Sequence, residues 1–236
     1  MEYSGADPMP AAALFVFDLD GTLVDSRLDL AESVNEMLSQ QGVPELPVDA
    51  VGSMVGDGAR ELVSRALTAA GLATDLDSAL AAFLDVYHRR LLVHTRPYED
   101  IVEVVLHAAA RAPLAVLTNK PQIPTERLLE EFGLRSSFHW VIGGDAAFPR
   151  KPDPSALRYL ATAAGVSIER TMMIGDSMVD VETARAAGAV VCLARYGFGN
   201  LRGPLTLAAD EASVETPAEI APLIEAFLEG APYAQH

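Results

Sequence analysis

The sequence holds a single cysteine, Cys192, so no intramolecular disulfide can form. No apolar run approaches the ~18 residues of a membrane span. The segment Met1–Pro10 lacks the basic start and apolar stretch of a signal peptide. Together these absences predict a cytoplasmic protein with no membrane partner. Positive charge is scarce as well: 17 Lys and Arg stand against 33 Asp and Glu, for a formal net charge of -16. Nucleic acid and anionic membrane bind mainly through positive patches, so both are excluded as expected partners. An anionic substrate would need local compensation from a metal, basic side chains or backbone N–H groups. Lysine is rarer still, with Lys120 and Lys151 the only two in the chain.

The remaining composition, 50% hydrophobic and 21% charged, is that of a globular chain able to bury a sizeable core. Its length of 236 residues suits one core with a modest insert. Short apolar runs that suit buried strands occur at 14–17, 114–117, 140–142, 172–174 and 190–193, and Cys192 falls inside the last. Helical patterns separate several of them. This alternation predicts a doubly wound, Rossmann-like parallel sheet, in which ligands gather at the carboxyl ends of the strands.

Between the first two strands, 26–96 reads as helical throughout. Leu30, Val34, Met37 and Leu38 share one face, Leu62, Val63, Ala66 and Leu67 a second, and Leu80, Phe83, Leu84, Tyr87 and Leu91 a third. Breaks fall at Gly42–Pro47 and Gly71–Asp75. We therefore expect a small α-helical cap at 26–96 inserted into an α/β core of 11–25 and 97–232, with 1–10 as a flexible tail.

Four segments carry chemistry. After the first strand stands Asp18-Leu19-Asp20-Gly21-Thr22; alternation in extended chain points Asp18 and Asp20 the same way, and Gly21 permits a sharp turn whose N–H groups can approach a phosphate. The second strand ends in Thr118-Asn119, which offers a hydroxyl and a backbone amide to phosphate oxygens ahead of a helix expected near Pro124. Lys151 is presented from a stiff loop by Pro152, with Asp153-Pro154 opening the next helix. In a chain that otherwise uses arginine, two lysines at strand-end loops suggest compact charges beside phosphate. The fourth strand runs into Gly175-Asp176-Ser177, with Asp180 one turn on and Gly188 closing the helix. Carboxylates converging on Asp18 call for a cation, and hard oxygen ligands with a phosphate suit Mg²⁺.

These four segments, in this order, resemble the four motifs of the haloacid dehalogenase-like superfamily, from Leu14 to about Leu228. Val55-Gly56-Asp57-Gly58-Ala59-Arg60, Arg96-Pro97-Tyr98, Thr118-Asn119-Lys120-Pro121 and Gly143-Gly144-Asp145 look most like phosphoglycolate phosphatases. The resemblance implies a phosphoric monoester hydrolase in which Asp18 is the nucleophile and forms an aspartyl-phosphate. Asp20 is then the general acid and base, and Thr118, Asn119 and Lys151 hold the transferring oxygens. Mg²⁺ is expected on Asp18, Asp176 and the backbone carbonyl of Asp20, with Gly21, Thr22, Gly175, Ser177 and Asp180 in support.

A phosphomutase of the same superfamily and an inactive scaffold on this fold are the competing readings; the complete set of carboxylates with Lys151 speaks against the second. The substrate is expected to be a small phosphate monoester: phosphoglycolate, a sugar phosphate, a nucleotide or a phosphorylated specialised metabolite. Arg60, behind the glycines at 56 and 58, and Lys120 are the candidate specificity residues.

Overall fold

A computed structural model describes residues 13–230; the expected tail at 1–10 and the outermost residues of the expected core, 11–12 and 231–232, lie outside them. The chain opens on β1 (Leu14–Phe17), whose four residues are all buried. Their side chains alternate between two layers, Phe15 and Phe17 in one apolar cluster and Leu14 and Val16 in the other. A strand apolar on both faces is stable only at the centre of a covered sheet, and that is where β1 lies.

The chain continues through β2 (Val24–Asp25), four helices, and β3 (Arg96–Pro97). The helices are α1 (Arg27–Ser39), α2 (Val48–Gly52), α3 (Ala59–Ala69) and α4 (Leu76–Arg90). α1 packs against α2 and α4, and α3 against α4. Where the sequence shows three helical patterns the structure has four helices, because α2 is too short to display a period. β2 and β3 pair antiparallel, Val24 with Pro97 and Asp25 with Arg96, and so draw the two ends of the insert together. Buried Asp29 fastens the same neck, accepting from the N–H groups of His94 and Thr95 and from the Thr95 hydroxyl at 2.7–3.0 Å.

Beyond the insert come α5 (Ile101–Ala109), β4 (Leu114–Leu117), α6 (Gln122–Glu131), β5 (Trp140–Ile142) and α7 (Ser155–Ala163). They are followed by β6 (Thr171–Gly175), α8 (Met178–Ala187), β7 (Val190–Ala194), β8 (Ala212–Val214) and α9 (Ile220–Glu229). The six-stranded sheet runs β5-β4-β1-β6-β7-β8, every pair parallel. α5, α6 and α9 bury their apolar residues in the cluster holding Phe15 and Phe17, and α7 and α8 in the one holding Leu14 and Val16. Helices therefore cover both faces, and the insert's apolar faces continue the first cluster.

Helix α6 starts at Gln122, earlier than the expected position near Pro124. The carboxylate of Asp145 accepts from the Gln122 N–H at 2.7 Å and stabilises the helix start from across the sheet edge. No helix among the described residues is long and apolar enough to cross a membrane.

Candidate active site

The three central strands end in Phe17, Leu117 and Gly175, and the next residues are Asp18, Thr118 and Asp176. Each apolar run thus terminates in a polar group at the same edge of the sheet. The ladder continues one step beyond two of the strands: Asp18 N–H donates to Ile174 at 2.8 Å and Thr118 N–H to Ile142 at 3.0 Å. Backbone pairing fixes these side chains more firmly than a free loop would.

Lys151 Nζ lies 2.9 Å from Asp18 Oδ1 and 2.5 Å from Asp180 Oδ1, with all three side chains buried. Burial is the main influence on the Asp18 carboxyl and pushes it up to about 6, against the opposing pull of the Lys151 ammonium. Burial disfavours the charge on Lys151, but Asp18 and Asp180 outweigh it and hold the ammonium above its usual range. Asp180 also accepts from Ser177 twice, from N–H at 3.1 Å and from the hydroxyl at 2.7 Å, which caps α8 and orients the carboxylate. Gly175 lies flat against it: a Cβ there would stand 2.2 Å from Asp180 Cγ.

Asp176 accepts from the N–H groups of Phe198 and Gly199 at 3.0 and 2.8 Å. Burial, then the Asp180 and Asp18 carboxylates, raise it well above the ordinary range. Gly21 has φ +87°, and a Cβ at that position would lie 2.0 Å from Asp176 Oδ2, so only glycine permits this approach. Thr22 is buried beside it, its carbonyl accepting from the Tyr196 hydroxyl at 2.9 Å.

Carboxylate oxygens of Asp18, Asp176 and Asp180 all lie within 4.8 Å of one another. Lys151 is the ammonium that touches this set, so the buried cluster keeps an excess of negative charge. A divalent cation with oxygen ligands would offset it, and the donor set fits one. The Asp20 carboxylate is not in this set. It accepts from the Ser26 hydroxyl at 2.6 Å and from Lys120 Nζ at 3.0 Å on both oxygens. Of the expected contribution of Asp20 to the metal, only the backbone carbonyl is compatible with that orientation.

Each of the chain's two lysines therefore stands on one of the two carboxylates of Asp18-Leu19-Asp20. Lys120 also donates to the hydroxyl of Tyr87, which descends from α4, and sits 4.7 Å from the centre of that ring. The phenol is pushed up to about 12, chiefly by burial. Asn119 uses its side chain as a clamp: Oδ1 accepts from Lys151 N–H at 2.9 Å, and Nδ2 donates to the carbonyls of Lys151 and Gly56 at 3.0 and 2.9 Å.

Asp18, Asp20, Thr118, Asn119, Lys120, Asp176 and Ser177 line one cavity beneath the insert. Arg60 is not brought there. Helical residues rotate by about 100° per step, so with Ala59 and Leu62 on the cavity Arg60 turns away, and it pairs with exposed Asp77 at 2.6 Å. Sequence reasoning did not single out Tyr87 and Ser26 as functional. Tyr87 sits in an apolar stripe, where a phenol reads as core; Ser26 reads as the residue ahead of α1. The N–H groups at 198–199 left no side-chain signal.

The family model for haloacid dehalogenase-like hydrolases matches residues 12–188. The chain is 42% identical over 198 residues to the phosphoglycolate phosphatase of Rhodospirillum rubrum, covering 80% of this chain and 81% of that one. It is 38% identical over 227 residues to the plasmid phosphoglycolate phosphatase of Cupriavidus necator, covering 91% and 97%. Among solved structures, a predicted phosphoglycolate phosphatase from Haemophilus somnus 129PT superposes with a TM-score of 0.81 at 29% identity, covering 89% of this chain and 97% of that one. A doubly wound core with an inserted helical cap, acidic side chains at its central strand ends and relatives of this similarity agree: the chain belongs to the haloacid dehalogenase-like hydrolase family.

Proposed function

We propose that the chain is a Mg²⁺-dependent phosphatase of small phosphate monoesters, working through an aspartyl-phosphate on Asp18. The observation that carries this reading is the Asp18 carboxylate itself. It is buried at the end of the central strand, 2.9 Å from an ammonium and within 4.8 Å of two further carboxylates, and it lines the cavity.

In the first step an oxygen of Asp18 attacks phosphorus in line, the ester P–O bond breaks, and Asp20 gives a proton to the departing alkoxide. In the second, Asp20 takes a proton from water as that water attacks the acyl phosphate, releasing inorganic phosphate and restoring Asp18. Ser26 and Lys120 hold the Asp20 carboxylate in place for both transfers. Thr118, the backbone amide of Asn119 and Lys151 hold the transferring oxygens, with Lys151 kept on Asp18 by Asp180 and by the clamp of the Asn119 side chain. Asp18, Asp176 and the carbonyl of Asp20 would hold Mg²⁺, which when bound would supply the charge neutralisation that lets a carboxylate approach a phosphate.

The paired ends of the insert support reading 26–96 as the cap and the flanking segments as the core. The relatives' substrate, phosphoglycolate, is one member of the expected class, alongside sugar phosphates, nucleotides and phosphorylated specialised metabolites. The test is phosphate release from a panel of monoesters with Mg²⁺ present, after exhaustive chelation, and after Mg²⁺ or Ca²⁺ is restored. Activity should vanish on chelation and return with Mg²⁺, and return poorly with Ca²⁺, whose looser shell misplaces the in-line oxygen. Undiminished activity after chelation would remove the metal from the account.

A further inference from the structure

The two carboxylates of Asp18-Leu19-Asp20 are held by different parts of the molecule. Asp18 pairs with Lys151, which pairs in turn with Asp180, and both partners belong to the core. The side chains that hold Asp20 are Ser26, at 2.6 Å, and Lys120, at 3.0 Å. Ser26 stands directly ahead of α1, at the neck where the insert begins, and Lys120 donates to Tyr87 of α4. The carboxylate assigned to proton transfer is thus tied to the insert at two points, whereas the partners of the nucleophile are core residues.

The Lys120 side chain is only 3% exposed, so its ammonium must find its partners within the protein. An ammonium has three donors. Here they go to the two oxygens of Asp20 and to the Tyr87 hydroxyl. With the third donor engaged, the ammonium cannot turn away from Asp20 without breaking a buried bond. Both ends of this side chain are anchored. At the backbone, the Lys120 N–H donates to Thr118 Oγ1 at 3.3 Å, and its carbonyl accepts from the Gly144 N–H at 2.7 Å. At the tip, the Tyr87 ring is buried and stacks on Phe83, and α4 packs against α1 and α3.

We infer that Tyr87 is a positioning residue: through Lys120 it sets the Asp20 carboxylate, so that the insert governs departure of the alcohol while attack by Asp18 is left to the core. This rests on the phosphatase reading above and adds a control of its acid–base step. Tyr87 also lines the cavity, where a hydroxyl could instead touch the substrate directly. The two roles differ in which esters respond to its loss. A residue acting through Asp20 matters wherever the departing oxygen needs a proton, and little where the leaving group is stable as an anion. A residue touching the substrate matters according to the groups that the ester carries.

The test is kcat/KM with Mg²⁺ for ethyl phosphate, phosphoglycolate and 4-nitrophenyl phosphate, in wild type, Tyr87→Phe, Lys120→Met and the double variant. For each ester kcat/KM reports the steps up to loss of the alcohol, so hydrolysis of the aspartyl-phosphate does not enter. Ethyl phosphate and phosphoglycolate both release an alkoxide, and only phosphoglycolate carries a second anion. Tyr87→Phe should lower both alkyl esters alike, by roughly three- to tenfold, and 4-nitrophenyl phosphate by less than about twofold. In the Lys120→Met background the same substitution should change any ester by less than about twofold, because its route to Asp20 is gone. Equal losses for all three esters would make Tyr87 a structural residue and overturn the inference. A loss confined to phosphoglycolate would assign Tyr87 to the substrate instead, and an undiminished loss in Lys120→Met would exclude the route through Lys120. Should Lys120→Met fail to fold, the pattern across the three esters in Tyr87→Phe decides alone. Each of these outcomes leaves the phosphatase standing, whereas no phosphate release from any ester by the wild type would overturn both.

Discussion

The two walls of the cavity are built from opposite materials. On the core side, charged groups are buried and each is held by named partners: Asp18 by Lys151, Asp20 by Ser26 and Lys120, Asp176 by two backbone N–H groups. On the insert side the lining side chains are apolar apart from the Tyr87 hydroxyl, and Arg60 and Arg89 pair away from the cavity, with Asp77 and Glu36. Buried charges are costly, so a wall that keeps them must fix their geometry with several bonds apiece. An apolar wall needs only shape and can be altered at lower cost. On the proposed function the reaction belongs to the core side, and the insert side is where the rest of the substrate would lie. Two contacts join the walls, the chain Tyr87–Lys120–Asp20 and the bond from Asn119 Nδ2 to the Gly56 carbonyl.

Mutations on the core side should therefore damage turnover, whereas those on the outer face of the insert should leave it alone. Asp20→Asn should lower kcat/KM for an alkyl phosphate by roughly 10²- to 10⁴-fold, the usual value of general acid–base catalysis. With an aryl phosphate, whose leaving group needs less protonation, the phosphorylation step should suffer less. Presteady-state rates with both esters check this, and equal losses would make Asp20 a structural residue only.

Tyr87→Phe probes the junction. The ring keeps its stack on Phe83, centroids 5.6 Å apart, while Lys120 loses one bond. A net hydrogen bond of about 0.5–1.5 kcal/mol, or somewhat more to a charged group, predicts a loss of roughly three- to tenfold in kcat/KM with the fold intact by circular dichroism. No change would show that the insert does not influence the Asp20 carboxylate through this contact.

Arg60→Ala should do least. An exposed ion pair contributes ~1 kcal/mol or less, and Arg60 touches nothing in the cavity, so kcat/KM should stay within about threefold for any ester. A large selective loss would mean that α3 turns in the substrate complex.

Much of this division was legible in the sequence. Apolar runs ending abruptly in Asp18, Thr118 and Asp176 marked both the central strands and the sheet edge that lines the cavity, because a covered parallel strand tolerates polar residues only at its ends. Lys151 and Lys120 stood out through the scarcity of lysine. The edge strand β8 was not legible: three residues, Ala-Ser-Val, carry no periodic signal. Nor was the orientation of Arg60, since the glycines before it suggested reach while the start of α3 determines direction. Tyr87 was hidden for a different reason, as a phenol in an apolar stripe gives the same pattern whether or not its hydroxyl has a buried partner.

The central claim, that the Asp18 carboxylate is the nucleophile, is tested most directly by trapping its product. Enzyme turning over an ester labelled in the phosphoryl group should be quenched in acid, digested and mapped. The account predicts a label on the peptide containing Asp18 that forms within one turnover, disappears on chase with unlabelled ester, and is absent from Asp18→Asn. Turnover without any covalent label, or a label on another residue, would contradict it.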